Sequence, residues 1–111
     1  MAPIHVLAII TPKPDRVARV EELAKEVASG VESTEPGVLK YQWFKTGTPN
    51  EPKIVVWEVY ADEAALNVHK VSPKLAWLIE TEKKEENFAG PLQVLPLEQF
   101  AGWAAREGSK I

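Results

Sequence analysis

Apolar residues run almost without interruption from Ile4 to Thr11 (IHVLAIIT), and Pro12 and Pro14 close the run. A β-branched stretch that barely alternates predicts a strand buried on both faces. Asp15, directly after Pro14, stands where a helix N-cap is expected. From Val17 the apolar positions fall at Val20, Leu23, Ala24, Val27, Ala28 and Val31. Spacings of three and four predict a helix of about four turns with one apolar face. Arg16, Arg19, Glu22, Lys25 and Glu26 line its other side. Glu35-Pro36-Gly37 breaks this helix.

The pattern then changes period. Val38–Thr46 (VLKYQWFKT) alternates, with Leu39, Tyr41 and Trp43 on one face and Lys40, Gln42 and Phe44 on the other. The stretch from Gly47 to Pro52 has the composition of a turn. Lys53–Tyr60 (KIVVWEVY) completes a hairpin. Ile54, Val56, Glu58 and Tyr60 share one face, and Val55, Trp57 and Val59 share the opposite one. A glutamate inside such a strand needs a partner or a purpose. Asp62 caps a helix that turns Ala65, Leu66 and His69 inward, with Val68 beside them. Ser72-Pro73 restarts it, since proline suits a first helical turn. Leu75, Leu78, Ile79 and Glu82 follow on one face, with Trp77 at its border. The charge run from Glu80 to Asn87 reads as solvated surface, and Gly90-Pro91 ends the helix. Leu92–Leu97 (LQVLPL) is the last strand, and Pro96 assigns it to a sheet edge or a bulge.

The predicted order is β-α-β-β-α-α-β, an α+β ferredoxin-like arrangement of one antiparallel sheet with helices on one face. Residues 1–99 form that domain. Residues 100–111 are an extension whose Phe100 and Trp103 are too large and apolar for a free tail, so it is expected to dock on the domain or on a partner subunit. One helical layer covers one side of a sheet, yet both sides carry large apolar groups. A second copy packed sheet to sheet covers the open side most simply, so a homodimer is expected.

Composition narrows the choice of function. The chain has 111 residues, room for one domain. It has no cysteine, which removes disulfides, thiolate nucleophiles and cysteine-held metals. Two histidines, His5 and His69, make a multi-histidine metal site improbable within one chain. Thirteen basic against sixteen acidic residues leave a net charge of −3, which speaks against nucleic acid or an anionic membrane as partner. There is no membrane-spanning run and no secretory signal, so the expected location is cytoplasmic. No G-x-G-x-x-G and no H-x-x-x-H points to a nucleotide, flavin or metal, and no cofactor is expected.

Two segments resemble the antibiotic biosynthesis monooxygenase family. One is WEVYADEAALNVHKVSPKL, from Trp57 to Leu75, with Glu58, Tyr60, an acidic helix start, His69 and the Ser72-Pro73 restart. The other is Glu35-Pro36-Gly37-Val38-Leu39-Lys40-Tyr41, similar to the family's Pro-Gly-Cys-x-x-Tyr entry to a strand. The resemblance spans about residues 4–97. It implies a dimeric α/β barrel and an activity among cofactor-free quinol and anthrone monooxygenases, haem-degrading enzymes and isomerases. Lys74 stands where a second histidine is common, and Pro14-Asp15 replaces a Pro-Gly. Ala8 stands where haem-degrading relatives carry asparagine, which directs the reading towards a quinol- or anthrone-type oxygenase.

Such a reaction requires a base to deprotonate an electron-rich aromatic, a dry chamber and flat walls. The candidate catalytic residues are His69 as base, Glu58 as its orienting group or a second base, and Tyr60 as a hydrogen-bond donor. Tyr41, Trp43, Trp77 and Phe88 are candidates for the substrate-binding wall. Each also has a plain structural reading: His69 as a satisfied core group, Glu58 as a helix-start or ion-pair partner, Tyr60 and the tryptophans as packing. The expected function is a cofactor-independent monooxygenase acting with O₂ on a small aromatic substrate. The alternatives are a proton-transfer isomerase or cyclase on the same barrel, and a non-catalytic dimeric ligand-binding or stress-response module.

Overall fold

Strand β1 (Ile4–Ile10) pairs antiparallel with both β3 (Pro52–Tyr60) and β4 (Gln93–Leu97), and β2 (Val38–Gly47) pairs with β3. The sheet order is β2-β3-β1-β4. Helices α1 (Val17–Thr34), α2 (Glu63–Lys70) and α3 (Pro73–Glu85) complete the α+β ferredoxin-like fold. This is a computed structural model and it describes residues 3–108. No helix among them is long and apolar enough to cross a membrane. β4 is an edge strand, so Pro96 interrupts no second ladder.

The inner face of the sheet carries Val6, Ala8 and Ile10 from β1, and Ile54 and Val56 from β3, all buried. Val20 of α1 packs into this core, with Phe88 and Trp43 partly buried against it. α1 buries Val20, Leu23, Ala24, Val27 and Val31, the stripe its spacing predicts. Its start differs from expectation. Asp15 is exposed and does not cap. Arg16 holds the N-cap position without a side-chain cap, since a guanidinium has no acceptor to offer, and its backbone N–H turns back onto Lys13 O at 2.9 Å.

Register also corrects β2. A bulge between Val38 and Lys40 places Leu39 outside the pairing, and Leu39 is 59% exposed rather than inward with Tyr41 and Trp43. Val68 and Ile79 are likewise exposed. The charge run is no plain surface. Arg19 Nε and Nη2 donate to the two oxygens of Glu85, each at 2.8 Å, tying α1 to α3. Glu82 accepts from the backbone N–H groups of Asn87 and Phe88, each at 2.9 Å.

The outer face carries Leu7 and Ile9 of β1 opposite Trp57 and Val55 of β3, with Leu95 and Leu97 of β4 alongside. These are half-exposed in the single chain, so β1 is not buried on both faces within it. Lys40 Nζ lies 3.7 Å from the centroid of the Trp57 ring on this side. Phe100 and Trp103 are 96% and 71% exposed, so the extension does not dock on its own domain. Residues 109–111 lie outside the described part.

Candidate active site

Position along the strands sets one wall of the site. Glu58 and Tyr60 are two residues apart on the inner face of β3, and Tyr41 of β2 sits opposite Glu58 in the register. The hairpin thus gathers two phenols and a carboxyl on one patch. The Tyr60 hydroxyl donates to Glu58 Oε1. Both residues are buried.

Local caps bring His69 over this patch. Asp62 Oδ1 accepts from Ala65 N at 2.8 Å and starts α2. Ser72 Oγ accepts from Leu75 N at 3.3 Å, with Pro73 in the first turn, and starts α3. His69 lies in the last turn of α2, between those two signals, and is 5% exposed. Its Nε2 is 3.9 Å from Glu58 Oε1. Its ring stands edge-on to Tyr41 (centroids 5.3 Å apart, 66°) and tilted to Tyr60 (5.5 Å, 50°). Its other nitrogen, Nδ1, is 2.9 Å from Glu35 Oε1.

The electrostatics follow from burial. Removal from water raises Glu58 above the ordinary glutamate value, against the Tyr60 hydrogen bond and the nearby His69, which both lower it. Tyr60 is pushed well above the usual phenol range by burial, then by its hydrogen bond to Glu58. Tyr41 is raised by burial and by the carboxyls of Glu58 and Glu35. The two tyrosines therefore stay protonated, as donors.

A chamber of about 480 Å³ opens between the sheet and the α2–α3 pair. Glu58, Tyr60, His69 and Tyr41 form its polar end, and Trp43 continues the wall. Lys70 of α2 also borders it, and the remainder is apolar, from Val6 and Ala8 of β1 to Leu75 and Leu78 of α3 and Val94 of β4. Five of the candidates from the sequence thus meet: His69, Glu58, Tyr60, Tyr41 and Trp43. Two do not. Trp77 is 38% exposed on α3, with Lys74 Nζ 5.1 Å from its ring centroid, because its helical position turns away from the sheet. Phe88 packs against the Ala8, Ile10 and Val20 core and bridges to Pro12 instead of lining the chamber.

Glu35 is the group that sequence reasoning missed. In the sequence it reads as part of a helix-ending Glu-Pro-Gly. A signal was nonetheless present. A carboxylate at a helix C-terminus opposes the helix dipole, so it calls for a reason.

Comparison with known proteins places these features. The family model described as antibiotic biosynthesis monooxygenase matches residues 3–77. A Caulobacter crescentus protein assigned to that family is 25% identical, with a TM-score of 0.78, covering 89% of this chain and 91% of its own. The Mycobacterium tuberculosis protein Rv0793 is 23% identical, with a TM-score of 0.74, covering 93% of this chain and 100% of its own. A conserved protein from Methanosarcina mazei is 20% identical, with a TM-score of 0.77 over 90% of this chain and 95% of its own. The last two likenesses speak for the fold alone. The search of curated proteins found no match. With the match running from β1 into α3, across well over half of its length, the chain belongs to the antibiotic biosynthesis monooxygenase family.

Proposed function

We propose that the protein is a cofactor-independent monooxygenase that oxidises an electron-rich aromatic, a quinol or anthrone, with O₂. The observation that carries this reading is His69, buried at the polar end of a mainly apolar chamber with Nε2 on the side of Glu58. The imidazole takes the acidic proton of the substrate, and the Tyr41 hydroxyl donates to the oxygen that becomes negative, while the Tyr60 hydroxyl is held on Glu58. The resulting anion passes one electron to O₂. The substrate radical and superoxide then combine, forming a C–O bond. His69 returns its proton to the peroxide, Glu58 takes the remaining hydrogen of the oxygenated carbon as a proton and passes it to the departing oxygen, and cleavage of the O–O bond leaves a carbonyl on the ring and releases water. The substrate supplies every electron, so the balance needs no added reductant. The apolar walls keep water from the radical pair.

The assembly in this reading is a homodimer. The uncovered outer face of the sheet supports it, and the exposed Phe100 and Trp103 suit an extension that reaches the partner subunit. Oxygen uptake with a panel of hydroquinones and anthrones tests the activity. The expected result is uptake by the wild type that falls about 10²-fold or more in His69→Ala. Uptake absent across the panel, or unchanged in the variant, overturns the reading.

One feature favours a second reading, a proton-transfer isomerase. His69 and Glu58 form a base and acid pair 3.9 Å apart, sufficient for tautomerisation without oxygen. Product formed under strict anaerobiosis selects this reading over the first.

A further inference from the structure

A neutral imidazole carries one N–H and one lone pair, and only the nitrogen with the lone pair can act as base. His69 presents Nδ1 to Glu35 Oε1 at 2.9 Å, and a carboxylate accepts hydrogen bonds without donating them. The proton of the ring therefore belongs on Nδ1, and the lone pair on Nε2. Glu35 is not part of the chamber wall. It lies behind the ring, on the side away from the substrate space.

Folding alone does not account for Glu35. It sits at the C-terminal cap of α1, where the helix carbonyls disfavour a negative group. It is 5% exposed, and its second oxygen, Oε2, is buried with no hydrogen-bond partner. A glutamate held in that place is unfavourable unless His69 makes use of it.

The backbone around it is built to hold the pair. Glu35 N–H bonds to Val31 O at 2.9 Å, and Val38 N–H bonds to Glu35 O at 3.0 Å. Ala61 N–H bonds to Gly37 O at 2.8 Å, which ties this turn to the approach of α2. A Cβ on Gly37 would lie 2.6 Å from Ala65 Cβ, so only glycine admits α2 this closely. Ala65 and His69 are four residues apart on the same face of α2. Contact at the first sets the reach of the second. The Glu-Pro-Gly segment thus becomes a clamp with a defined product, the short Glu35–His69 contact.

We propose that Glu35 is a positioning residue that holds His69 with Nδ1 protonated and so presents Nε2, bare, to the chamber. The proposal rests on the reading of His69 as the base, but its first readout does not depend on turnover. Long-range ¹H–¹⁵N correlation spectra of ¹⁵N-histidine-labelled protein, at a pH where His69 is neutral, report which nitrogen carries the proton. Free imidazole side chains favour Nε2–H, and here the wild type is expected to show Nδ1–H. Glu35→Met fills a similar space without any oxygen acceptor and is expected to let the ring revert to Nε2–H. kcat then falls roughly 10²-fold or more, with KM little changed. Glu35→Asp keeps a carboxylate and is expected to keep Nδ1–H.

An Nε2–H tautomer in the wild type overturns the proposal, whether or not any variant folds. So does a folded Glu35→Met protein whose ring still carries its proton on Nδ1. A reversed tautomer with undiminished oxygen uptake supports the control of the ring by Glu35 and overturns His69 as the base. An Nδ1–H wild type that turns over no aromatic supports the positioning and counts against the oxygenase reading alone.

Discussion

Glu58 has a price in stability that can be measured. Burial raises its folded-state pKa above the ordinary 4.5. The folded protein therefore holds this proton more tightly than the unfolded chain does. The corresponding contribution to stability is complete below 4.5 and is lost as the pH rises through the folded value, at about 1.4 kcal/mol for each unit of displacement. In Glu58→Gln the amide oxygen still accepts from Tyr60, but no charge forms. The variant is expected to gain on the wild type in Tm as the pH rises above 4.5, as thermal melts across a pH series would show. A constant difference would remove burial as the source. Tyr60→Phe acts in the opposite sense. It takes away the donor to Glu58 and is expected to cost about 1–3 kcal/mol in denaturant titrations at neutral pH. Of the residues involved, His69, Glu58 and Tyr60 were legible in the sequence, because strand parity and helix caps are local. Glu35 was not, since its partner is 34 positions away and only the packing of α2 on the turn brings them together.

Between elements, one seam is ionic and another is steric. Glu85 receives Arg19 in a two-pronged contact and Asn87 Nδ2 at 3.0 Å, and these hold its carboxyl down at about 2. A depressed acid stabilises above the unfolded value of 4.5, and that support disappears as the pH falls from there through about 2. Glu85→Gln is therefore expected to lower Tm at neutral pH, with the deficit closing in acid. A deficit that persists at pH 2 would show that packing rather than charge is lost. The steric seam lies at Gly37. Gly37→Ala is expected to push α2 outward and cost about 1–3 kcal/mol, and adding Ala65→Gly should restore most of it. Denaturant titration of the two single variants and the double variant completes that cycle. The elements themselves were readable from periodicity, as were the caps Asp62 and Ser72. What was not readable was the tertiary use of polar residues. Glu82 and Glu85 look solvated in sequence and become loop and helix ties, while the bulge at Leu39 breaks an alternation that Pro36-Gly37 mark only as the start of a strand.

At the scale of the molecule, the uncovered face of the sheet makes a prediction about assembly. Leu7, Ile9, Val55, Trp57, Leu95 and Leu97 line one continuous side by register, and the described residues leave all six at least partly exposed. An apolar surface of that extent favours association over exposure to water. The sequence already suggested this, because β1 is apolar at inner and outer positions alike. It did not reveal which of two places the C-terminal extension takes, since that depends on a surface made by distant strands. Sedimentation velocity is expected to give a dimer at micromolar concentration, with a Tm that rises with protein concentration, as coupled folding and association require. Leu95→Glu tests the face directly. Leu95 is 44% exposed in the single chain, so the change costs its own fold little, while two such charges brought together between sheets would be strongly unfavourable. The variant should sediment as a folded monomer. Removal of residues 100–111 should weaken the dimer by a smaller amount, if Phe100 and Trp103 reach the partner. A wild type that stays monomeric at high concentration would overturn the sheet-to-sheet pairing. A dimer untouched by Leu95→Glu would move the interface elsewhere on the surface.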